Sequence, residues 1–301
     1  MTPNQQTLFR ARLDSARGRV EETLDWLLPS GSGAQGVLAD AMRHGTLNGG
    51  KRIRAFLTIE VADLLGADPE QADRVAASVE CLHAYSLVHD ALPCMDDDDL
   101  RRGQPTVHKK WDEATAVLAG DGLQTIAFEI LAAPETHADG DVRAALVLSL
   151  AQNSGLAGMV GGQMLDIAAE TTASHDKAEI EKIQLLKTGA LIIHAAVSGA
   201  ILAKASPTDR QAIRDYACDL GSAYQIADDI LDVTGSEAET GKAVGKDAGA
   251  GKATFVDLLG LDGATSRAKE LVDSACEHLS SFGPNADALR LAAQYTISRR
   301  S

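Results

Sequence analysis

Aromatic side chains are scarce in this chain, at 4% of residues. Alternating β-branched runs and Asn-Gly turns are nearly absent too, which leaves little from which to build a sheet. The four cysteines (Cys81, Cys94, Cys218, Cys276) stand far apart and form no CxxC pair. That argues against a disulfide framework and suits reduced thiols in a cytoplasmic protein. Cations are in deficit: 28 Lys and Arg face 43 Asp and Glu, for a formal net charge of -15. Nucleic acid and anionic membrane surfaces are bound by neutralising phosphates, so both are poor partners for this chain. Met1-Thr2-Pro3-Asn4-Gln5-Gln6 offers neither a basic n-region nor an apolar h-region, and no secretory signal is read there. The longest apolar run, 190–203, is interrupted by His194 and Ser198. It falls short of the ~20 residues that span a bilayer. No membrane span is expected, and the run reads as a buried helix.

What the chain does have is helical periodicity over 301 residues without a shift in composition. This predicts one all-α domain covering 1–301. Helices are expected over 5–28, from a loop at 30–36 to about His44, and from Gly49-Gly50 to about Leu65. Further helices are expected over 69–90, 113–133, 141–169, 177–203, 207–233, 262–282 and 285–299. Two starts are chemically marked. Asp68-Pro69-Glu70-Gln71 supplies an N-cap, a first-position proline and a capping-box residue, and Ser206-Pro207-Thr208-Asp209 opens another helix the same way. Pro93 stops the first of these helices. Gly155, Gly158, Gly161 and Gly162 predict close packing or a kink within 141–169.

The stretch from Leu82 to Gly103 carries most of the chemistry. It ends an apolar helix at His89-Asp90, breaks at Pro93, and continues as Asp96-Asp97-Asp98-Asp99-Leu100-Arg101-Arg102-Gly103. On the 69–90 helix the apolar stripe Val75, Val79, Leu82, Ser86 leads to Asp90. On the 207–233 helix the stripe Ile213, Ala217, Leu220, Tyr224 leads to Asp228, with Asp232 one turn further on the same face. Both acidic clusters therefore lie on or beside the inward face. Buried carboxylates need neutralising, and hard divalent cations prefer carboxylate oxygens with substrate phosphate.

Each cluster alone has an ordinary reading beside the functional one. Asp96–Asp99 is either a solvated acidic turn or a metal site. Arg101-Arg102 is either a surface pair or a bidentate diphosphate clamp. Lys51 and Arg54 beside Gly49-Gly50 form a surface turn or approach an anion. Lys242, Lys246 and Lys252 lie in a Gly/Lys/Asp loop over 235–252, which is a linker or a mobile lid over phosphate. The spacing around Gly251-Lys252-Ala253 is not that of a P-loop, and no strand precedes it. No Ser/His/Asp or Cys/His arrangement emerges.

Together these residues resemble the trans-polyprenyl diphosphate synthases, and within them the bacterial farnesyl diphosphate synthase branch. His89-Asp90 through Asp96-Asp97-Asp98-Asp99-Leu100-Arg101-Arg102-Gly103-Gln104-Pro105-Thr106 is similar to the family's first aspartate-rich motif. Tyr224-Gln225-Ile226-Ala227-Asp228-Asp229-Ile230-Leu231-Asp232 is similar to the second. Gly49-Gly50-Lys51-Arg52-Ile53-Arg54, Gly161-Gly162-Gln163-Met164-Leu165-Asp166, Lys187-Thr188-Gly189-Ala190-Leu191 and Gly241-Lys242 follow the family's order. The resemblance implies an all-α isoprenoid synthase bundle around a deep central cavity, usually a homodimer, acting on isoprenoid diphosphates with three Mg²⁺ ions. It implies Asp90, Asp96, Asp228 and Asp232 as the metal set, with Asp229 supporting. Arg101, Lys187, Thr188, Gln225, Lys242 and Lys252 would hold the allylic diphosphate. Lys51, Arg54, His83 and Arg102 would hold isopentenyl diphosphate. The carry-over makes Asp90, Asp96, Lys187, Asp228 and Lys242 the catalytic set. Tyr85, with Ser86 beside it, would set product length, its ring plugging the cavity at fifteen carbons; alternatively Tyr85 packs in the core.

The family's first motif is DDxxxxD, and here Ala91 stands where its second aspartate belongs. The resemblance then implies metal binding retained and turnover reduced. Ala253, where relatives often carry Ser or Thr, is a smaller departure. Farnesyl diphosphate synthesis is the leading expectation. The alternatives are geranylgeranyl diphosphate synthesis, a terpene cyclase, and a low-activity or non-catalytic homologue motivated by Ala91.

Overall fold

The computed structural model describes residues 1–169, 177–234 and 254–298. In chain order the helices are α1 Pro3–Leu27, α2 Gly33–Leu47, α3 Ile53–Leu64, α4 Pro69–Asp90, α5 Val107–Lys110, α6 Glu113–Ala132 and α7 Gly140–Ser154. They continue with α8 Met159–Ala169, α9 Lys177–Gln184, α10 Ala190–Leu202, α11 Pro207–Thr234, α12 Phe255–His278 and α13 Asp287–Ser298. A π-helical turn, Leu185–Gly189, joins α9 to α10. A 3₁₀ turn, Ser280–Ala286, joins α12 to α13. The expected 235–252 loop, with Lys242, Lys246 and Lys252, lies outside the described residues.

The capping chemistry starts both key helices where it should. Asp68 Oδ1 accepts from the N–H of Glu70 and of Gln71 at 2.9 and 3.2 Å. Ser206 Oγ accepts from Asp209 N–H at 3.1 Å. Elsewhere the structure corrects the reading. The expected 141–169 helix breaks between Ser154 and Met159. At Gly158 and Gly161 a Cβ would stand 2.1 Å from Asn153 O and 1.9 Å from Leu156 O, so the glycines make a tight reversal. The expected 177–203 helix is interrupted by the π turn. The expected 262–282 helix follows a kink at Gly260 (φ +70°, ψ 165°), and a short helical piece that was not expected precedes it from Phe255, where Thr254 and Asp257 form a capping box. Two short strands, β1 Leu100–Arg101 and β2 Gln104–Pro105, were not expected at all.

At the centre of the bundle, α10 is buried along all thirteen residues. It packs on α3, α7 and α11. A helix apolar on every side belongs inside the bundle. Gly199 lets α3 approach closely, since a Cβ there would stand 2.7 Å from Thr58 O. Sparse polar ties cross between the layers: Thr58 Oγ1 to Ala195 O at 2.8 Å, Ser78 Oγ to Ala127 O at 2.7 Å, and Tyr216 OH to Leu289 O at 2.8 Å. Each satisfies a buried hydroxyl that would otherwise cost about 1–3 kcal/mol. The buried side chains run as one cluster from Phe9 in α1 to Ala293 in α13.

Candidate active site

The two apolar stripes emerge from the core at their acidic ends. Val75, Val79 and Leu82 are fully buried, while Ser86 and Asp90 are half-buried. Ile213, Ala217 and Leu220 are buried, while Tyr224 and Asp228 are half-buried. After Asp90 the proline break closes tightly: Asp96 N–H donates to Asp90 O at 2.8 Å, and Asp97 N–H to Leu92 O at 3.1 Å. The loop thus returns Asp96 to the end of α4. Burial pushes the Asp90 carboxyl up to about 6, Lys187 opposes the rise, Asp96 adds to it, and Arg101 and His89 oppose it. One buried carboxyl therefore feels the first motif, the hairpin arginine and the π-turn lysine at once.

Arg101 and Arg102 are presented by the hairpin. Leu100 pairs with Pro105 and Arg101 with Gln104. Arg102 and Gly103 form the two-residue turn with φ of +53° and +75°, the left-handed pair a type I′ hairpin needs. An arginine in this conformation costs about 1–2 kcal/mol. The Arg102 guanidinium donates to Gly49 O and covers Gly50, where a Cβ would stand 2.6 Å from its Cζ. Arg54 Nη1 lies 3.4 Å from His83 Nε2. Burial, followed by Arg54, Arg102, Arg101 and Arg52, holds His83 well below the usual histidine range. His83 is therefore neutral and its Nε2 accepts from Arg54. The structure brings Arg54, His83 and Arg102 into one cationic recess. Lys51 lies beside it, in a small crevice with Ile53, Leu220, Tyr224, Ala292, Tyr295 and Thr296.

The second acidic cluster divides its tasks. Asp229 is 3% exposed. It accepts from Gln184 Nε2 at 3.1 Å, Gln225 Nε2 at 3.2 Å and Phe255 N–H at 2.9 Å, tying α9, α11 and α12 together. Gln225, expected on the allylic diphosphate, here donates to Asp229. Asp228 and Asp232 remain half-buried on the neighbouring positions. Beyond Gln184 the π turn carries Lys187 and Thr188, both half-buried. Lys187 Nζ lies 2.5 Å from Asp166 Oδ2 of α8. Helix α8 approaches so closely that a Cβ on Gly162 would stand 2.2 Å from Lys187 N. On the other side a Gly221 Cβ would meet Gly189 Cα at 3.1 Å. The π turn thus sits between two close approaches, and from it Lys187 reaches Asp166 while its charge is also felt by Asp90.

Some contacts at the site were not foreseen from the sequence. The ring of Tyr85 meets His89 edge-on, with centroids 5.0 Å apart. His89 Nε2 donates to Val117 O of α6 at 3.0 Å. The ring fits only because residue 120 is glycine, whose Cβ would stand 2.0 Å from Nε2. Ser86 Oγ donates back to His83 O at 2.9 Å. Asp166 closes the Gly161-Gly162-Gln163-Met164-Leu165-Asp166 motif, and its pairing with Lys187 needed the fold. Asp97, Asp99 and His108 also bring potential ligand atoms within 4.8 Å of one another, though none belongs to the expected metal set. Asp99 there already pairs with Lys109 at 2.8 Å.

The polyprenyl synthetase family profile matches residues 35–284. A farnesyl diphosphate synthase of Haemophilus influenzae is 41% identical over 97% of this chain and 99% of its own length. The chloroplastic geranylgeranyl pyrophosphate synthase 9 of Arabidopsis thaliana is 42% identical over 88% of this chain and 75% of its own. The apo crystal structure of an FPP/GFPP synthase from Zymomonas mobilis superposes with a TM-score of 0.87 at 44% identity, covering 99% of this chain and 100% of that one. The chain belongs to the polyprenyl synthetase family of prenyltransferases.

Proposed function

We propose that the chain, acting as one unit over 1–301, condenses isopentenyl diphosphate with dimethylallyl or geranyl diphosphate to give farnesyl diphosphate. The observation that carries this reading is a pair of differently built cationic recesses around one half-buried acidic end. One holds Arg54, His83 and Arg102 around Gly49-Gly50. The other holds Lys187, paired with Asp166, and Arg101, and the charges of both act on Asp90. Two anions and one acidic group match a two-diphosphate reaction.

The acidic residues fit Mg²⁺: a carboxyl raised by burial and by a neighbouring carboxylate is short of positive charge, and Mg²⁺ takes carboxylate and phosphate oxygens. Asp90, Asp96, Asp228 and Asp232 would hold it, with three ions expected alongside substrate. Bound there, it would offset charge on the departing diphosphate. Arg101, Lys187, Thr188 and Gln225, with Lys242 and Lys252, hold the allylic diphosphate. Lys51, Arg54, His83 and Arg102 hold isopentenyl diphosphate, His83 as a neutral hydrogen-bonding group. The allylic C–O bond breaks with its electrons passing to diphosphate. The isopentenyl double bond then forms the new C–C bond, and a proton leaves to the diphosphate. Holding both partners in contact lowers the entropic barrier. Tyr85, braced by His89, which itself packs over Gly120, and with Ser86 beside it, stops growth at fifteen carbons. The protein is cytoplasmic on this reading.

Product analysis tests the reading, with Ala91→Asp beside the parent. Ala91 closes α4 and is buried. A carboxylate restored next to Asp90 is expected to raise turnover about tenfold, the scale on which groups that orient metal ligands act. Fifteen-carbon product from both supports the proposal. Twenty carbons would move the reading to geranylgeranyl diphosphate synthesis and remove Tyr85 as the plug. Hydrocarbon or alcohol formed without isopentenyl diphosphate would indicate a cyclase. Silence from both proteins would favour a non-catalytic homologue.

The reading includes a homodimer. By length and composition Glu113–Ala132 is apolar enough to cross a membrane, whereas Gly140–Ala169 reaches that length only across the reversal between α7 and α8, and Lys177–Leu202 only across the π turn. The third is mostly buried inside the bundle, whereas only 39% of each of the other two is. These two expose Leu118, Leu148, Leu156 and Met164, large apolar side chains of the kind that mark an interaction surface. A second copy covers it. Leu118→Glu with Leu148→Glu is expected to convert a sedimenting dimer to monomer. A parent that is monomeric, or that partitions into phosphatidylcholine vesicles, would overturn this part.

A further inference from the structure

Directly beneath the recess formed by Arg54, His83 and Arg102 lies a buried ion pair that the proposed chemistry does not use. Arg52 and Glu80 have side chains 2% exposed each. Arg52 Nη1 donates to Glu80 Oε2 at 3.0 Å, and Nη2 donates to Thr46 O, near the end of α2, at 2.7 Å. Its Nε lies 3.5 Å from Glu21 Oε1 of α1. The other Glu80 oxygen accepts from Ala55 N–H at 3.2 Å. A carboxylate of α4 thus caps the first turn of α3, where free N–H groups need a partner. Arg52 takes a left-handed backbone, φ +53° and ψ +35°, at the cap position of α3. An arginine in that conformation is strained, so its contacts must repay the strain.

Geometry gives the pair a task. Lys51 and Arg54 flank Arg52 in sequence. Glu80 and His83 are three residues apart and share a face of α4. One guanidinium–carboxylate contact therefore fixes the offset between the start of α3 and the middle of α4, and with it the distance from Arg54 to His83. It also seats the Gly49-Gly50 turn that receives Arg102. Guanidiniums crowd the recess: Arg102 is lowered by partial desolvation and then by Arg52, while Glu80 opposes this. The carboxylate of Glu80 is placed to hold the crowded cations in register before an anion arrives. Buried ion pairs are a poor source of stability and are better explained by the geometry they enforce.

We propose that Arg52 and Glu80 are positioning residues that pre-organise the isopentenyl diphosphate recess. The inference rests on assigning that recess to isopentenyl diphosphate. Steady-state kinetics on the full chain test it, with each substrate varied in turn against Glu80→Gln, Arg52→Lys and Lys51→Ala. Glu80→Gln keeps the shape and removes the charge. Arg52→Lys keeps the charge but cannot span Glu80, Thr46 and Glu21. Both are expected to raise KM for isopentenyl diphosphate about tenfold, the cost of misplacing a binding group by a fraction of an ångström. KM for the allylic substrate should stay within about twofold. If Glu80→Gln does not fold, Arg52→Lys decides alone. Equal rises in both KM values would overturn the proposal. So would a lower melting temperature and kcat with both KM values unchanged, since the pair would then serve the scaffold only. Lys51→Ala separates the two levels. If it raises KM for isopentenyl diphosphate while the Arg52 and Glu80 variants do not, the positioning role fails and the recess assignment stands. If Lys51→Ala raises only the allylic KM, the assignment itself is wrong.

Discussion

Asp90→Asn should lower turnover about 10²- to 10³-fold, the loss expected when one preorganised electrostatic contact is removed from a catalytic site. The same substitution should make the metal-free protein more stable at neutral pH. Burial and the nearby Asp96 carboxylate hold Asp90 at about 6, well above the ordinary aspartate value near 4. The folded chain therefore binds this proton more tightly than the unfolded chain. The resulting stability is fully present below about pH 4 and is lost as pH rises through about 6. By pH 7 the metal-free parent carries a charge that Lys187 and Arg101 offset only in part, at a cost on the order of 1–3 kcal/mol. Asparagine removes that cost together with its pH dependence. Chelated samples of parent and variant, unfolded in urea between pH 4 and 8, should converge toward pH 4, separate between about 4 and 6 and keep a constant gap above that, with the variant more stable. A variant that loses activity and stability together would mark Asp90 as scaffold. Opposite movement is the mark of a group kept for function at the expense of folding.

The adjacent aspartates of the second cluster should behave as opposites. Asp229 accepts three hydrogen bonds from three chain segments while almost wholly buried. Asp229→Ala leaves those donors facing the interior, and the expected loss is roughly 3 kcal/mol or more, because each unsatisfied buried group costs about 1–3 kcal/mol. The π turn beyond Gln184 and the start of α12 should loosen together. Asp228→Ala, half-buried one position earlier, should cost less stability than Asp229→Ala and reduce turnover about 10²-fold or more. Urea unfolding and initial rates on both variants give a two-by-two comparison. A stable, inactive Asp229→Ala beside an unstable, active Asp228→Ala would exchange the two assignments.

The parts legible in the sequence were those written locally. Asp68-Pro69 and Ser206-Pro207 carry their own capping chemistry, and the helices behind them start as read. The stripes ending at Asp90 and Asp228 follow from helical period, and their burial fades toward the acidic ends as that period requires. The π turn was not legible, because 177–203 has the periodicity of an uninterrupted helix. Its extra residue per turn goes with close approaches at Gly162 and Gly221, from elements distant in sequence. The hairpin at Leu100–Pro105 was hidden because its turn is Arg-Gly instead of Asn-Gly, and its strands are two residues long. The division of labour between Asp228 and Asp229 was hidden for a third reason. Neighbours on a helix point about 100° apart, and only the packing of α9 and α12 decides which one is buried.

The contact between Gly162 and the backbone of Lys187 has a consequence for how this chain can change over time. Every coded alternative to glycine brings at least a Cβ, and the obstacle is main chain, which cannot rotate aside as a side chain can. Mutation at this position therefore has no small first step: alanine already demands movement of the turn that carries the lysine. Gly199 meets Thr58 O and Ala62 N of α3 in the same way. A library of variants should show both positions as nearly empty columns, while the exposed faces of α6 and α7 accept many residues provided the apolar seam persists. Tyr85 differs, because it meets the ring of His89, a side chain and not main chain.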